Sequence, residues 1–272
     1  MPATPTSNPT AFDAFAGDYD NDFTDSSLGK LLRPRVWEKL GQHFKSGQHV
    51  LELTCGTGED AIWLARRGVQ VTATDGSAEM ISVARAKAEA AAVTAQVSLR
   101  QMSLQQAAQG YLTGGGKTGN RLFDGVYSNF GGLNTIKTWR SLAEALATIV
   151  KPGGKVILVP MGPFCPWEMI WYSGHGQFRT ALRRLGQNAH AKIGEMVIPI
   201  WYPAARQLKA DFSAWFQHLG AESLGLWLPP TYLDHWVKRW PEFFARLNRF
   251  EKATAHYTGG WGDHYIIIFE RK

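Results

Sequence analysis

A chain of 272 residues with 29 basic and 23 acidic side chains, a net charge of +6 and two cysteines suits one large α/β domain, or one domain carrying an insertion. It buries roughly 70–75% of its unfolded surface without a covalent staple. Cys55 and Cys165 stand far apart in unrelated contexts, which argues against a disulfide framework and a zinc motif, leaves no metal expected, and places the chain in a reducing, cytoplasmic compartment. No run of about 18 apolar residues is present to span a membrane, and the densest basic groups, Arg33/Arg35, Arg179/Arg183/Arg184 and Lys238/Arg239, read as solvated helix faces rather than a nucleic-acid patch.

The polar, Pro-rich start (MPATPTSNPT) lacks the basic and apolar parts of a signal peptide and reads as a disordered lead. Residues 12–23 run into a helical pattern over 28–44. Residues 50–54 form a short apolar strand, 56–58 turn the chain, and 61–67 read as a helix ending at Gly68. A second strand covers 69–74, and Ser77 caps a helix with Met80, Ile81 and Ala84 on one face. Further strands are expected at 96–101, 123–128 and 155–160. The last follows a helix over 142–150 that Lys151-Pro152-Gly153-Gly154 closes. This alternation implies right-handed crossovers and a mostly parallel sheet.

Beyond Met161 the rhythm changes. Residues 163–202 are irregular and aromatic, 204–219 are helical, 221–228 are a strand, and Pro229-Pro230 opens a second excursion through 258. HYIIIFE, residues 264–270, is a strong final strand. Eight of the eleven tryptophans lie after residue 160, which marks this half as an aromatic substrate cover. The Gly-rich stretch at 113–120, TGGGKTGN, fails as a phosphate loop because Tyr111 stands where the first glycine is required.

The chemistry concentrates in VLELTCGTGEDAIWLARRGVQVTATDGS. A strand ends in Glu52, then Thr54-Cys55-Gly56-Thr57-Gly58 turns into a helix at the carboxyl end of that strand, where open α/β sheets bind ligands. The next strand ends in Asp75, seventeen residues after Gly58, and a carboxylate there can accept both ribose hydroxyls of a nucleoside. A dinucleotide site prefers a third glycine, and that position is Ala61, preceded by Glu59-Asp60. Two acids repel a pyrophosphate but tolerate the sulfonium of S-adenosylmethionine.

With ELTCGTGED, TATDGSAEMI, FDGVYSNFGGLN, VKPGGKVILVP and the leading FDAFAGDYD, the chain resembles the class I S-adenosylmethionine-dependent methyltransferases of small-molecule type. The resemblance covers roughly residues 12–161 and the last strand. It implies a Rossmann-like α/β fold with a seven-stranded, mostly parallel sheet in the order 3-2-1-4-5-7-6. HYIIIFE would be the antiparallel strand 7 of that sheet. Residues 1–45 would form a lead and helical cover, and 46–272 the methyltransferase domain with substrate-cover insertions at about 163–202 and 230–258. It further implies that Tyr19 closes over the cofactor. Glu52 and Gly56 would lie under its methionine part, Thr54 would also contact the cofactor, and Gly58 would let the backbone approach. Asp75 would hold the ribose, with Gly76 and Met80 near the adenosine. Met102 and Ser103 would flank adenine, although many members carry Asp at the first of these positions. Asn129 and Phe130 would face the reacting centre. Ser128-Asn129-Phe130-Gly131 lacks the prolines of the family's DNA-amine members, which counts against that subclass.

Methyl transfer asks mainly for alignment of acceptor, methyl and sulfur, and proximity alone supplies roughly 7–11 kcal/mol. A base is therefore optional. Tyr172, His175, His235 and His264 are the candidates for one, by position in or beside the cover. Trp167, Trp171 and Tyr172 share a helical face that reads as core packing or as a pocket for an aromatic or cationic acceptor. The function expected is methyl transfer to a small molecule. An RNA-modifying methyltransferase and a non-catalytic S-adenosylmethionine-binding protein are the alternatives.

Overall fold

The computed structural model describes residues 10, 12–104, 106, 122–186, 189–193 and 196–272. Most of the expected lead and the Gly-rich stretch at 113–120 lie outside the described residues. Helix α1 (Ser27–His43) precedes β1 (His49–Leu53), α2 (Glu59–Ala65), β2 (Gln70–Asp75), α3 (Ala78–Ala90), β3 (Val97–Gln101), β4 (Phe123–Ser128), α4 (Trp139–Ile149) and β5 (Val150–Leu158). Then come α5 (Pro166–Gly174), α6 (Phe178–Ala181), the hairpin β6 (Ala189–Ile193) and β7 (Met196–Ile200), α7 (Ala205–Phe212), β8 (Phe216–Leu224), α8 (Asp234–Arg239), α9 (Pro241–Thr254) and β9 (His264–Arg271).

The main sheet has seven strands in the order β3-β2-β1-β4-β5-β9-β8. β9 runs antiparallel between β5 and β8, so the order read from the sequence is the one observed once the hairpin strands are counted. β1 lies at the centre, paired in parallel with β2 and β4. Its Val50 joins the core under α1 and α2, while Leu51 and Leu53 join the opposite core under α4 and α7. This period of two puts Glu52 on the α1–α2 side. In α1 the buried stripe Leu28, Leu32, Val36, Leu40 follows the four-residue helical spacing, and Ser26 caps it by accepting the Gly29 N–H at 2.9 Å.

Several expected boundaries move. The helix begun at Ala205 stops at Phe212, and the strand starts at Phe216 rather than 221 and ends at Leu224. The apolar residues of ADFSAWFQHLG imitate helical spacing. The eight-residue β9 nevertheless pairs with β8 from Phe216↔Arg271 to Leu224↔His264, with an irregularity at His218/Gly220. β5 likewise opens at Val150, and the ladder skips from Val150 to Lys155. The region 163–202 is less irregular than its composition suggests, since it holds α5, α6 and the β6–β7 hairpin.

The arginines read as solvated faces are corrected most clearly. Arg33, Arg35 and Arg184 are buried. They pair with Asp60 at 2.7 Å, Glu251 at 2.6 Å, and Glu168 and Asp263 at 2.6 and 2.5 Å. Sequence spacing hid these pairs because each partner lies on another element. No helix among the described residues is long and apolar enough to cross a membrane.

Candidate functional site

The carboxyl ends of β1, β2 and β4 open into one cleft. After β1 the chain turns through Thr54 at φ 55°, Gly56 at 52° and Gly58 at 78°, and after β4 through Phe130 at 50° and Gly131 at 83°. Thr54 and Phe130 are non-glycine residues in the left-handed region, a strain of the kind that collects at functional sites. Asp75 binds the first turn. Its Oδ2 accepts the Gly56 N–H and its Oδ1 the Ser77 N–H, both at 2.9 Å. Burial raises the pKa of the Asp75 carboxyl and these N–H donors oppose the rise. The Gly76 N–H also approaches the carboxylate, and the acceptor capacity left over is available to a ligand.

The N-terminal segment lies over the same turn. Asp13 Oδ1 accepts the Ser77 hydroxyl at 2.5 Å, while Asp20 accepts the Thr57 hydroxyl and the Lys87 ammonium, each at 2.7 Å. Tyr19 lies between them above Gly56, and burial pushes its phenol up to about 12. Gly58 packs its backbone on α3: a Cβ there would lie 2.9 Å from Ala84 Cβ at a left-handed φ. Gly58→Ala should therefore destabilise the protein by about 1–2 kcal/mol and lower its melting temperature. A melting temperature equal to wild type would show that the loop has room to give.

Beneath this turn is a small polar cavity of about 20 Å³ lined by Tyr19, Arg33, Glu52, Asp60, Asn129 and neighbouring residues. Asp60 is fully engaged. Its Oδ1 accepts from Arg33 and from the Trp37 indole N–H at 2.7 Å each, and its Oδ2 accepts the Asn129 amide at 2.9 Å. Glu59 pairs with Lys87 at 2.9 Å. Asp60 is thus paired with Arg33, while Glu59 shares the single Lys87 cation with Asp20. What remains is a set of buried polar atoms short of partners, Glu52 Oε2, Asn129 Oδ1 and Arg33 Nε, with the buried Tyr127 hydroxyl beside Glu52. Burial, then the nearby Asp60 charge, raises the Glu52 pKa well above the usual carboxylate range.

Tyr19, Thr54, Gly56, Asn129 and Phe130 also line a second cavity of about 470 Å³, within the size of small-ligand sites. Asp75, Gly76, Met80 and Ser103 line one part of it. Met161, Ala191, Ile198, Pro199 and Ile200 wall another, so the hairpin of the first insertion forms an apolar wall that sequence reasoning did not single out. Met102 lines neither cavity. It packs on the apolar core, and its N–H donates to the Asp75 carbonyl at 2.7 Å.

None of Tyr172, His175, His235 and His264 lines either cavity. Tyr172 faces Tyr232, His175 Nδ1 lies 2.7 Å from the Trp171 carbonyl, and His235 is exposed beside Trp236. His264 comes nearest: it is buried, 3.0 Å from Asp263, with its ring edge against Phe130. Trp167 and Trp171 pack on Trp236, the core-packing option. No described residue of 230–258 lines either cavity, and α8 and α9 pack on α1.

Residues 50–154 match the family model described as Methyltransferase domain. The chain is 31% identical over 168 residues to the demethylmenaquinone methyltransferase of Lactiplantibacillus plantarum, covering 59% of this chain and 67% of that protein. It is 27% identical over 164 residues to the ubiquinone/menaquinone biosynthesis C-methyltransferase UbiE of Rubrivivax gelatinosus, covering 60% and 59%. The chain spans between 37% and 67% of the length of the curated relatives it matches. Among solved structures it shares its fold with the CcbJ methyltransferase from Streptomyces caelestis, at a TM-score of 0.59 and 13% identity over 97% of this chain and 98% of that one.

Proposed function

The chain belongs to the class I S-adenosylmethionine-dependent methyltransferases, and from that premise we propose that it binds S-adenosylmethionine across the two adjoining cavities and methylates a small, largely apolar acceptor. The observation that carries this reading is the trio of buried atoms short of partners in the polar cavity. Two acceptors, Glu52 Oε2 and Asn129 Oδ1, and one donor, Arg33 Nε, suit the ammonium and carboxylate of an amino acid. Asp75, at the end of the neighbouring strand, retains acceptor capacity for a ribose. The bound cofactor supplies an activated methyl on a sulfonium.

The protein's own contribution is positional. Tyr19 and the N-terminal segment exclude water above Gly56. Phe130, Met161 and the hairpin residues Ile198 and Ile200 shape the acceptor side and hold the acceptor in line. Tyr19 and Asp75 are the only titratable side chains lining the larger cavity among the described residues. That lining suits an acceptor needing no strong base, such as an electron-rich ring carbon or a neutral amine. UbiE, named as a C-methyltransferase of quinone biosynthesis, works within the same family. Incubating the protein and methyl-labelled S-adenosylmethionine with a metabolite extract, followed by mass spectrometry, should yield a labelled apolar product. Label recovered solely in RNA would replace the reading with the RNA-modifying alternative.

Glu52→Gln tests the polar cavity. Losing a charged hydrogen bond worth about 1.5–3 kcal/mol should weaken S-adenosylhomocysteine binding about 10- to 100-fold. In the free protein the raised pKa has the opposite sign. Glu52 favours folding below its unfolded value, near 4.3, and that stability is lost as pH rises through its folded pKa. Glu52→Gln should therefore melt higher than wild type, by a margin that grows with pH. Ammonium binding favours the ionised carboxylate, so wild type should release a proton on binding and Glu52→Gln should not, as read by calorimetry in buffers of different ionisation enthalpy. Equal affinity and equal proton release in both proteins would remove Glu52 from the site.

A further inference from the structure

The second insertion carries a surface that the cavities do not use. Around the α9 axis, Phe244, Leu247, Asn248 and Glu251 point inward. Phe244 and Glu251 are buried, and Glu251 is held by Arg35 and by the Gly225 and Trp227 N–H groups. At 100° per residue, Phe243, Arg246, Arg249 and Phe250 fall on the opposite side, and all four are exposed. Phe243 is 55% and Phe250 52% accessible, and Trp240 just before the helix is 52% accessible. Trp227 lies against Phe250 at 5.5 Å between ring centroids.

Burying the outward face against the protein is not an option, because α9 already spends its other face on α1 and the core. Three large aromatic rings therefore remain in water on or beside one helix. Arg239, Arg246 and Arg249 make no ion pair with a described carboxylate, whereas Lys238 and Lys252 are paired with Asp234 and Glu38. Glu242, the one exposed acid on this helix, falls on the same outward side, so Arg246 and Arg249 with the neighbouring Arg239 outnumber it three to one.

We propose that this face docks on an anionic lipid surface, with Trp240, Phe243 and Phe250 entering the headgroup and acyl boundary and Arg239, Arg246 and Arg249 meeting lipid phosphates. Aromatic rings interleaved with unpaired arginines on one side of a short amphipathic helix are the pattern of an interfacial helix that lies on a membrane without crossing it. A helix is convex, so it offers no groove to track a nucleic-acid strand between its rings. The adjoining α5, joined through the Trp167–Trp236 contact, leaves Ile170 72% accessible, an aliphatic group that partitions into acyl chains and gives a base nothing to stack on.

The test is co-sedimentation of the full chain with vesicles of phosphatidylcholine alone and with about one part in three phosphatidylglycerol, with tryptophan emission recorded in parallel. Wild type should sediment with the anionic vesicles and shift its emission to the blue, and should bind the neutral vesicles at least about 10-fold more weakly. Removing two cations with Arg246→Ala/Arg249→Ala should reduce anionic binding about 30-fold. Phe243→Ser/Phe250→Ser should abolish the blue shift. Both double variants should keep the wild-type S-adenosylhomocysteine affinity, since none of the four residues lines a cavity, and a cooperative melting transition in each shows that it is folded. Absence of vesicle binding, equal binding to both vesicle types, or RNA binding lost in these variants while vesicles are ignored would each overturn the proposal.

Discussion

Asp75→Ala is expected to weaken S-adenosylhomocysteine binding by roughly 10- to 1000-fold and also to lower the melting temperature. The first effect follows from losing two charge-assisted bonds to ribose hydroxyls, each worth on the order of 1.5–3 kcal/mol, at 1.4 kcal/mol per decade. The second follows from what the carboxylate already does without a ligand. It ties Gly56 on the first turn to Ser77 at the start of α3, with two N–H bonds of 2.9 Å, and their loss costs about 1–3 kcal/mol. The geometry gives Asp75 the strap directly and leaves room for the ribose anchor expected from the sequence.

Asp75→Asn separates the two roles. A carboxylate presents two acceptor oxygens to the two N–H donors, while an amide presents one oxygen and an NH₂ that faces the other donor without accepting from it. The Asn variant should fall between wild type and Ala in melting temperature and should bind S-adenosylhomocysteine nearly as poorly as Ala. A lowered melting temperature with wild-type affinity would reduce Asp75 to the strap.

The second large effect concerns stability. Arg184 donates to Glu168 Oε2 through Nε at 2.9 Å, to Asp263 Oδ1 at 2.5 Å and to the Asp263 carbonyl at 3.0 Å. It thereby fastens α5 of the first insertion to the start of β9. Cys165, Glu168 and Asp263 come together there, but the guanidinium already takes up both carboxylates. Arg184→Ala leaves the buried Asp263 without its arginine and Glu168 with Arg183 alone, and should cost about 3–5 kcal/mol.

The pH dependence has a definite sign. Burial pushes the Asp263 carboxyl up, but Arg184, and then His264, outweigh it and hold it below the usual range. Asp263 therefore adds stability above its unfolded value of about 3.9, and that stability is lost as pH falls through its depressed folded value. The gap between wild type and Arg184→Ala should be full at neutral pH and narrow below about pH 4. Arg184→Met/Glu168→Gln/Asp263→Asn, which removes all three charges, should recover much of the loss. A gap under about 1 kcal/mol at neutral pH would mean that water reaches these carboxylates.

The parts of the site legible in the sequence are those built within one βαβ unit. Glu52, the glycine turn and Asp75 lie within 24 residues of each other, so local pattern carries them, and HYIIIFE is apolar enough to announce the antiparallel strand between β5 and β8. Contacts between distant elements were not legible. Arg33 and Asp60 are 27 residues apart on different helices, and nothing in either helix says that the arginine turns inward. The hairpin wall was hidden for a different reason: Met196, Val197 and Ile198 look like any apolar run, and their role follows from where the β6–β7 pairing places Ile198 and Ile200. The tryptophan excess after residue 160 did mark an added structure. In it Trp167, Trp171 and Trp236 hold the insertions to each other, and it is the hairpin's Ala191, Ile198, Pro199 and Ile200 that wall the larger cavity.

Calorimetric titration of the full chain with S-adenosylhomocysteine and, separately, with NAD tests the cofactor assignment most directly. Saturable binding of S-adenosylhomocysteine that Glu52→Gln and Asp75→Ala both weaken, with NAD binding far more weakly, is the predicted result. Tighter binding of NAD, or S-adenosylhomocysteine binding indifferent to both substitutions, would contradict it.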